Sequence, residues 1–202
     1  MARPPADLPR KPAVPLPPVT LVLGGARSGK SRFAENLITA APGPWVYLAT
    51  GEAGDAEMAA RIRHHRERRG KGWRTVEEPL DLAGALHRAA GEGTAILVDC
   101  LTLWISNLMA AGRDAGAEGK RLVAALPKIS APIIFVSNEV GLGIVPDNAL
   151  ARAFRDEAGR INQAVAAAAH RVYFIASGLP LVMKDEATVA SVHRIERKNI
   201  SS

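Results

Sequence analysis

The chain has 202 residues, 48% of them hydrophobic, which is enough apolar material for one domain with a sizeable core; its single cysteine, Cys100, excludes an intramolecular disulfide. No apolar run approaches the roughly 20 residues of a membrane span, and prolines stand where a secretion signal would carry its apolar stretch, so the expected address is the cytoplasm. A formal charge of +6 suits nucleic acid, an anionic surface or phosphorylated substrates, and does not choose among them.

Residues 1–18 hold seven prolines, lack the backbone donors to join a sheet, and read as a flexible, partly polyproline II tail. Val19 to Leu23 (VTLVL) is a short continuous apolar run ending in glycines, the pattern of a buried parallel strand. A helical pattern follows from Ser31 to Ala41, then a second strand in Pro44 to Thr50 and a helical pattern over Asp55 to Arg69. Trp73 to Glu78 is a weaker strand candidate, followed by a helix over Asp81 to Ala90 and a strand over Thr94 to Cys100. Leu101 to Ala111 and Gly116 to Leu126 have helical spacing, Pro132 to Ser137 reads as a strand, Asn148 to Ala169 as a helix and Arg171 to Ser177 as a strand. PLVMK, ending at Lys184, is a candidate edge strand. Strands alternate with helices, which predicts an α/β fold with a mainly parallel sheet and sites at its C-terminal strand ends. The expected domain is 19–184, with a polar, basic tail over 185–202. Cys100 follows an apolar run and reads as a core thiol.

GGARSGKS directly follows the first predicted strand and opens a predicted helix. It fits G-x-x-x-x-G-K-[ST] through Gly24, Gly29, Lys30 and Ser31, with Gly25, Ala26, Arg27 and Ser28 between. Glycines let backbone N–H groups converge on phosphate oxygens, and the helix N-terminus adds partial positive charge. Lys30 reaches the β/γ-phosphates, and the Ser31 hydroxyl is placed to ligate Mg²⁺. Asp99, at the end of ILVD, is either a second metal-side carboxylate or the N-cap of the following helix.

RIRHHRERR, Arg61 to Arg69, packs five arginines and two histidines into nine positions. On a helix, Met58, Ile62 and His65 fall on one stripe and His64 is rotated about 100° away. Arg61, Arg68 and Arg69 stand one turn from His65. Their charge disfavours imidazolium and keeps His65 neutral, while their guanidiniums can clamp phosphate oxygens. A neutral imidazole in a phosphate-binding field is a candidate nucleophile at phosphorus.

GGARSGKS, DAEMAARIRHHRERR followed by WRTVEEP, ILVDCLTLWISNLM, FVSNEVGLGIVPDNALARAFRDEAGRINQ and SGLPLVMK together resemble the bifunctional adenosylcobinamide kinase/adenosylcobinamide-phosphate guanylyltransferase family of cobalamin biosynthesis. The likeness runs from about Val19 to Lys184. It implies a RecA-like P-loop NTPase fold, a homo-oligomer (a trimer), and two reactions. A nucleoside triphosphate first phosphorylates adenosylcobinamide; GTP then gives up GMP through a histidine intermediate to the phosphate, making adenosylcobinamide-GDP and pyrophosphate. By this resemblance His65 matches the guanylylated histidine, Gly24 to Ser31 the nucleotide loop, and Ala49, Thr50 and Gly51 a second nucleotide-contacting segment. Arg66, Glu67, Arg68 and Arg69 match the residues beyond the histidine, Glu77 the acid of W-R-T-x-E, and Asp99 an acidic position that is often Glu.

Glu77 could read guanine through N1–H and the exocyclic amine, meet the ribose hydroxyls, or be a solvated carboxylate on an edge strand. NEVGLGIVPDN is either a substrate-contacting loop or a structural turn into the long helix. Arg152, Arg155 and Arg160 meet phosphate, a neighbouring subunit or solvent. A nucleic-acid-dependent ATPase of RecA type is the rival from another class, but aromatics are 4%, poor material for base stacking, so no nucleic-acid partner is expected. A plain small-molecule kinase with a structural His65 is a closer rival. A GTP-binding regulatory module is a third, and it lacks an N-K-x-D-type segment. ATP and GTP both remain open as phosphoryl donor.

Overall fold

The computed structural model describes residues 16–51, 70, 72–91 and 94–186. Within them lie strands β1 (Val19–Gly24), β2 (Trp45–Ala49), β3 (Trp73–Glu77), β4 (Ala95–Asp99), β5 (Ile133–Asn138), β6 (Arg171–Ala176) and β7 (Leu179–Asp185). The helices are α1 (Lys30–Thr39), α2 (Leu82–Ala89), α3 (Leu101–Ala110), α4 (Ala115–Ala125) and α5 (Ala149–Ala168). One sheet takes all seven strands in the order β3-β2-β4-β5-β1-β6-β7. Every neighbouring pair is parallel except β6 and β7. Both weaker strand candidates are therefore real, and the predicted helix over Asp55 to Arg69 falls outside the described residues.

Continuous apolar runs become central strands because both sheet faces are covered. Val46, Leu48, Ile96, Val98, Ile133 and Phe135 point to one face, where they meet Leu82, Leu86, Trp104, Ile105, Leu122, Ile161 and Val165 of α2 to α5. Their alternates Tyr47, Leu97, Ile134 and Val136 point to the other, against Ala34 and Ile38 of α1. Leu16 packs against this second layer and the Pro18 carbonyl accepts from Ile133 N–H, so contacts of the fold precede β1.

Caps set the helix boundaries. Asp81, Asp114 and Asn148 accept from the N–H groups of Gly84, Ala117 and Ala151, filling orphan donors of α2, α4 and α5. At the other end of α5, Lys184 Nζ donates to the carbonyls of Ala167 and Ala169 at 3.0 and 2.6 Å, where a cation complements the helix dipole. That contact ties β7 to the body. The β6–β7 hairpin turns on Ser177 and Gly178, both at positive φ (52° and 80°), the paired left-handed conformation that two-residue hairpins favour.

Candidate functional site

β1, β2, β3, β4 and β5 are parallel, so their C-terminal residues Gly24, Ala49, Glu77, Asp99 and Asn138 share one sheet edge. At its centre the chain leaves β1 through Gly24 to Gly29 and enters α1 at Lys30, the strand-loop-helix path that the motif requires. Gly24 permits close packing: a Cβ there would lie 2.6 Å from both the Ile175 carbonyl oxygen and Ser28 Oγ. Gly29 has φ +95°, which L side chains rarely adopt, and it abuts Gly178. The hairpin tip also holds the loop directly, since Gly178 N–H donates to the Ser28 carbonyl at 2.8 Å. Lys30 is 8% exposed, and its Nζ donates to the Gly25 carbonyl at 3.1 Å, folded over the loop it serves. Arg27 takes a left-handed φ of 57°, and Ser31 stands in the first turn of α1.

β5 separates β1 from β4, placing the Asp99 strand about 10 Å from the cradle strand at usual inter-strand spacing. The fold does not use Asp99 as a helix cap: the cap position of α3 is Cys100, and Asp99 Oδ2 instead accepts from the Tyr47 hydroxyl at 3.0 Å. Burial, then the neighbouring Asp99 charge, push the Cys100 thiol up to about 11. It is a neutral core group, as expected. Thr50 is fully buried; its hydroxyl donates to the Cys100 carbonyl at 2.7 Å and accepts from Cys100 N–H at 2.9 Å. Asn107 Nδ2 reaches the Thr50 carbonyl at 2.6 Å, so the Ala49–Gly51 segment is clamped from α3.

Glu77 is exposed at the end of β3, in register with Ala49. Its neighbour Glu78 accepts from the N–H groups of Leu80 and Asp81 and pairs with Arg88. The fold thus brings Gly24 to Ser31, Ala49 to Gly51, Glu77 and Asp99 to one edge. His65, Arg66, Glu67, Arg68 and Arg69 lie outside the described residues. The segment containing them departs from Gly51, at this same edge, and rejoins at Gly70. Arg152 donates to the carbonyls of Pro146 and Asp147, Arg155 pairs with Asp156 and Arg160 with Glu157, so these three arginines serve local contacts.

Sequence reasoning missed Tyr47, Thr102 and Asn107. Each carries one polar group inside an apolar or helical pattern, a signal visible only once its partner is known. Thr102 Oγ1 accepts from the backbone N–H and Nδ2 of Asn138 at 2.7 and 3.2 Å, securing the end of β5 between the cradle and Asp99.

Residues 20–183 match the family described as cobinamide kinase / cobinamide phosphate guanyltransferase. The bifunctional adenosylcobalamin biosynthesis protein CobP of Pseudomonas aeruginosa is 49% identical over 168 residues, which cover 82% of this chain and 97% of the relative. The corresponding CobU proteins of Escherichia coli and Salmonella typhimurium are 42% and 44% identical, each over 81% of this chain and 98% of their own length. The chain belongs to this family. As a cobinamide kinase / cobinamide phosphate guanyltransferase it is an enzyme of cobalamin biosynthesis, and nucleotides are its phosphoryl and guanylyl donors. Among solved structures, the flagellar accessory protein FlaH of Methanocaldococcus jannaschii aligns at TM-score 0.51 and 12% identity, covering 89% of this chain and 86% of its own. A type III secretion ATPase aligns at TM-score 0.50 and 13% identity over 81% of this chain and 56% of its own. These likenesses show the P-loop NTPase fold, as expected of a family whose two reactions both act on a nucleoside triphosphate.

Proposed function

We propose that one phosphate cradle serves both reactions, with His65 as the residue that carries GMP. The carrying observation is the geometry of Gly24 to Ser31: a loop pinned to β6 and the hairpin tip, with Lys30 drawn over it and a helix N-terminus behind it. In the kinase step, adenosylcobinamide attacks the γ-phosphorus of ATP or GTP. In the second step, His65 attacks the α-phosphorus of GTP and expels pyrophosphate, whose growing charge Lys30 stabilises. Adenosylcobinamide phosphate then takes GMP from the histidine. Arg66, Arg68 and Arg69 offset charge at the α-phosphate, with Glu67 completing that contacting run. Ala49, Thr50 and Gly51 line the nucleotide from β2, and Glu77 reads the guanine.

The donors at this edge fit Mg²⁺. Ser31 offers a hydroxyl and Asp99 a carboxylate whose Oδ1 has no hydrogen-bond partner among the described residues. Mg²⁺ takes one or two protein oxygens and completes its shell with phosphates and water. When bound it supplies charge neutralisation at the β/γ-phosphates. The protein acts in the cytoplasm, without nucleic acid, as a homo-oligomer, a trimer. β7, the last strand of the sheet among the described residues, exposes Leu179, Leu181, Val182 and Met183 and supports self-association; analytical ultracentrifugation tests it.

The deciding experiment incubates the protein with GTP labelled at the α-phosphate and then denatures it. Covalent label, stable in base and lost in mild acid, is the expected phosphoramidate. His65→Ala abolishes it and His64→Ala keeps it. Label that survives in His65→Ala overturns the assignment.

A further inference from the structure

Among the carboxylates at the C-terminal sheet edge, Asp99 takes the Tyr47 hydroxyl, Glu78 pairs with Arg88, and Glu77 sits on β3, four strands from the cradle strand. Glu139 is different. It follows Asn138, the register partner of Gly24, and its N–H donates to the Gly24 carbonyl at 3.1 Å. Its backbone is therefore bonded to the first residue of the phosphate loop, on the side facing the Asp99 strand. Gly141 N–H donates to its Oε1 at 2.6 Å, which orients the carboxylate and leaves Oε2 available. No cation pairs with it among the described residues.

The loop that Glu139 begins indicates which reactant approaches there. Leu142, Ile144 and Val145 are 82%, 98% and 60% exposed, three large aliphatic side chains in four positions. Such a patch marks a binding surface. A nucleoside triphosphate offers it little; the corrin-bearing acceptor, with its broad apolar faces, matches it.

We propose that Glu139 is the general base of the kinase step, a role that rests on the cradle holding the γ-phosphate. Oε2 takes the proton of the acceptor hydroxyl as that oxygen bonds to the γ-phosphorus. The bond from the γ-phosphorus to the β–γ bridging oxygen breaks, its electron pair leaves with the nucleoside diphosphate, and Glu139 later returns the proton to solvent. Guanylyl transfer has no such need. A neutral imidazole attacks through a lone pair, and the acceptor in that step is a phosphate monoester, ionised at neutral pH because its second pKa is about 6. Glu139 therefore acts in one of the two reactions only.

Glu139→Gln tests this, because glutamine keeps an oxygen for Gly141 N–H and removes only the basicity. The readouts are phosphorylation of cobinamide with γ-labelled nucleotide, and GMP transfer to cobinamide phosphate supplied ready-made. Phosphorylation is expected to fall about 10²-fold or more in kcat, the usual worth of a general base, with KM for cobinamide within about twofold. GMP transfer stays within about twofold, and Glu139→Asp recovers part of the lost rate. Kinase activity within about threefold of wild type overturns the proposal. So does an equal loss in both reactions, which would make Glu139 a cradle or metal residue. A wild-type protein that transfers GMP but does not phosphorylate cobinamide would sink the kinase reading, and Glu139's role with it.

Discussion

At the scale of single residues, the site is built by side chains that fix backbone as much as by those that meet substrate. Lys30 is buried against the loop carbonyl it donates to, so its ammonium is held over the Gly24–Gly29 loop. Lys30→Ala is expected to lower phosphorylation and guanylyl transfer alike, each by about 10²-fold or more, because both develop charge on β- or γ-phosphate oxygens. Steady-state assays of each half-reaction check it, and an untouched guanylyl transfer would require a second nucleotide site. Thr50 makes a different kind of contribution. Its hydroxyl satisfies both the N–H and the carbonyl of Cys100 in a fully buried position. Thr50→Val leaves the Cys100 N–H unpaired, although the Cys100 carbonyl still accepts from Trp104 N–H. It should cost about 1–3 kcal/mol in chemical denaturation, while Thr50→Ser recovers most of it. The resemblance proposes Thr50 as a nucleotide-side residue, and its structural duty is not legible there. A threonine at a strand end shows nothing of the backbone fifty residues away that it will hold.

Among elements, α2 illustrates how one carboxylate joins several. Asp81 caps α2 through Gly84 N–H and pairs with Arg88 of the same helix and Arg121 of α4. Burial raises its carboxyl, but the hydrogen bonds from Arg121, Arg88 and Gly84 outweigh that and hold it below the usual 3.8. A depressed acid contributes stability that is present above the unfolded value and lost as pH falls through the folded one. Asp81 should thus add to acid destabilisation below about pH 4. Asp81→Asn keeps an N-cap and should flatten that part of the stability-versus-pH curve, with a change of only about a few tenths of a kcal/mol at pH 7, since the ion pairs are largely solvated. Asp81→Ala also loses the cap and should cost about 1 kcal/mol more. Urea titrations across pH distinguish the two. The helix start at Asp81 was readable from its residue type and the apolar spacing after it; Arg121 as a partner from another helix was not.

On the scale of the whole molecule, the layers protect what they enclose. Cys100 sits between β4 and α3, 5% exposed, with its thiol pushed up to about 11 by burial and by Asp99. Its reaction with a disulfide reagent at about pH 8 should therefore be slow in the native protein and should speed up across the same denaturant range as the loss of helix signal. Prompt native-state labelling would show that the site edge opens independently. The order of strands and helices, the parallel character of the sheet, the phosphate loop and the buried thiol were all determined by the sequence itself. The first two follow from the period of apolar residues, the loop from glycine positions with one lysine, and the thiol from its place after an apolar run; these properties are local. Tertiary structure alone decided the strand order, which inserts β5 between β1 and β4 and so brings Glu139 to the cradle. It also decided the use of the β6–β7 hairpin tip as the loop's support, and the choice of Tyr47 over a helix cap as the partner of Asp99. Those depend on which segments become neighbours. Neighbours are chosen by the total area the layers bury and by the pairing of polar groups left at strand ends, quantities that no short window of sequence contains.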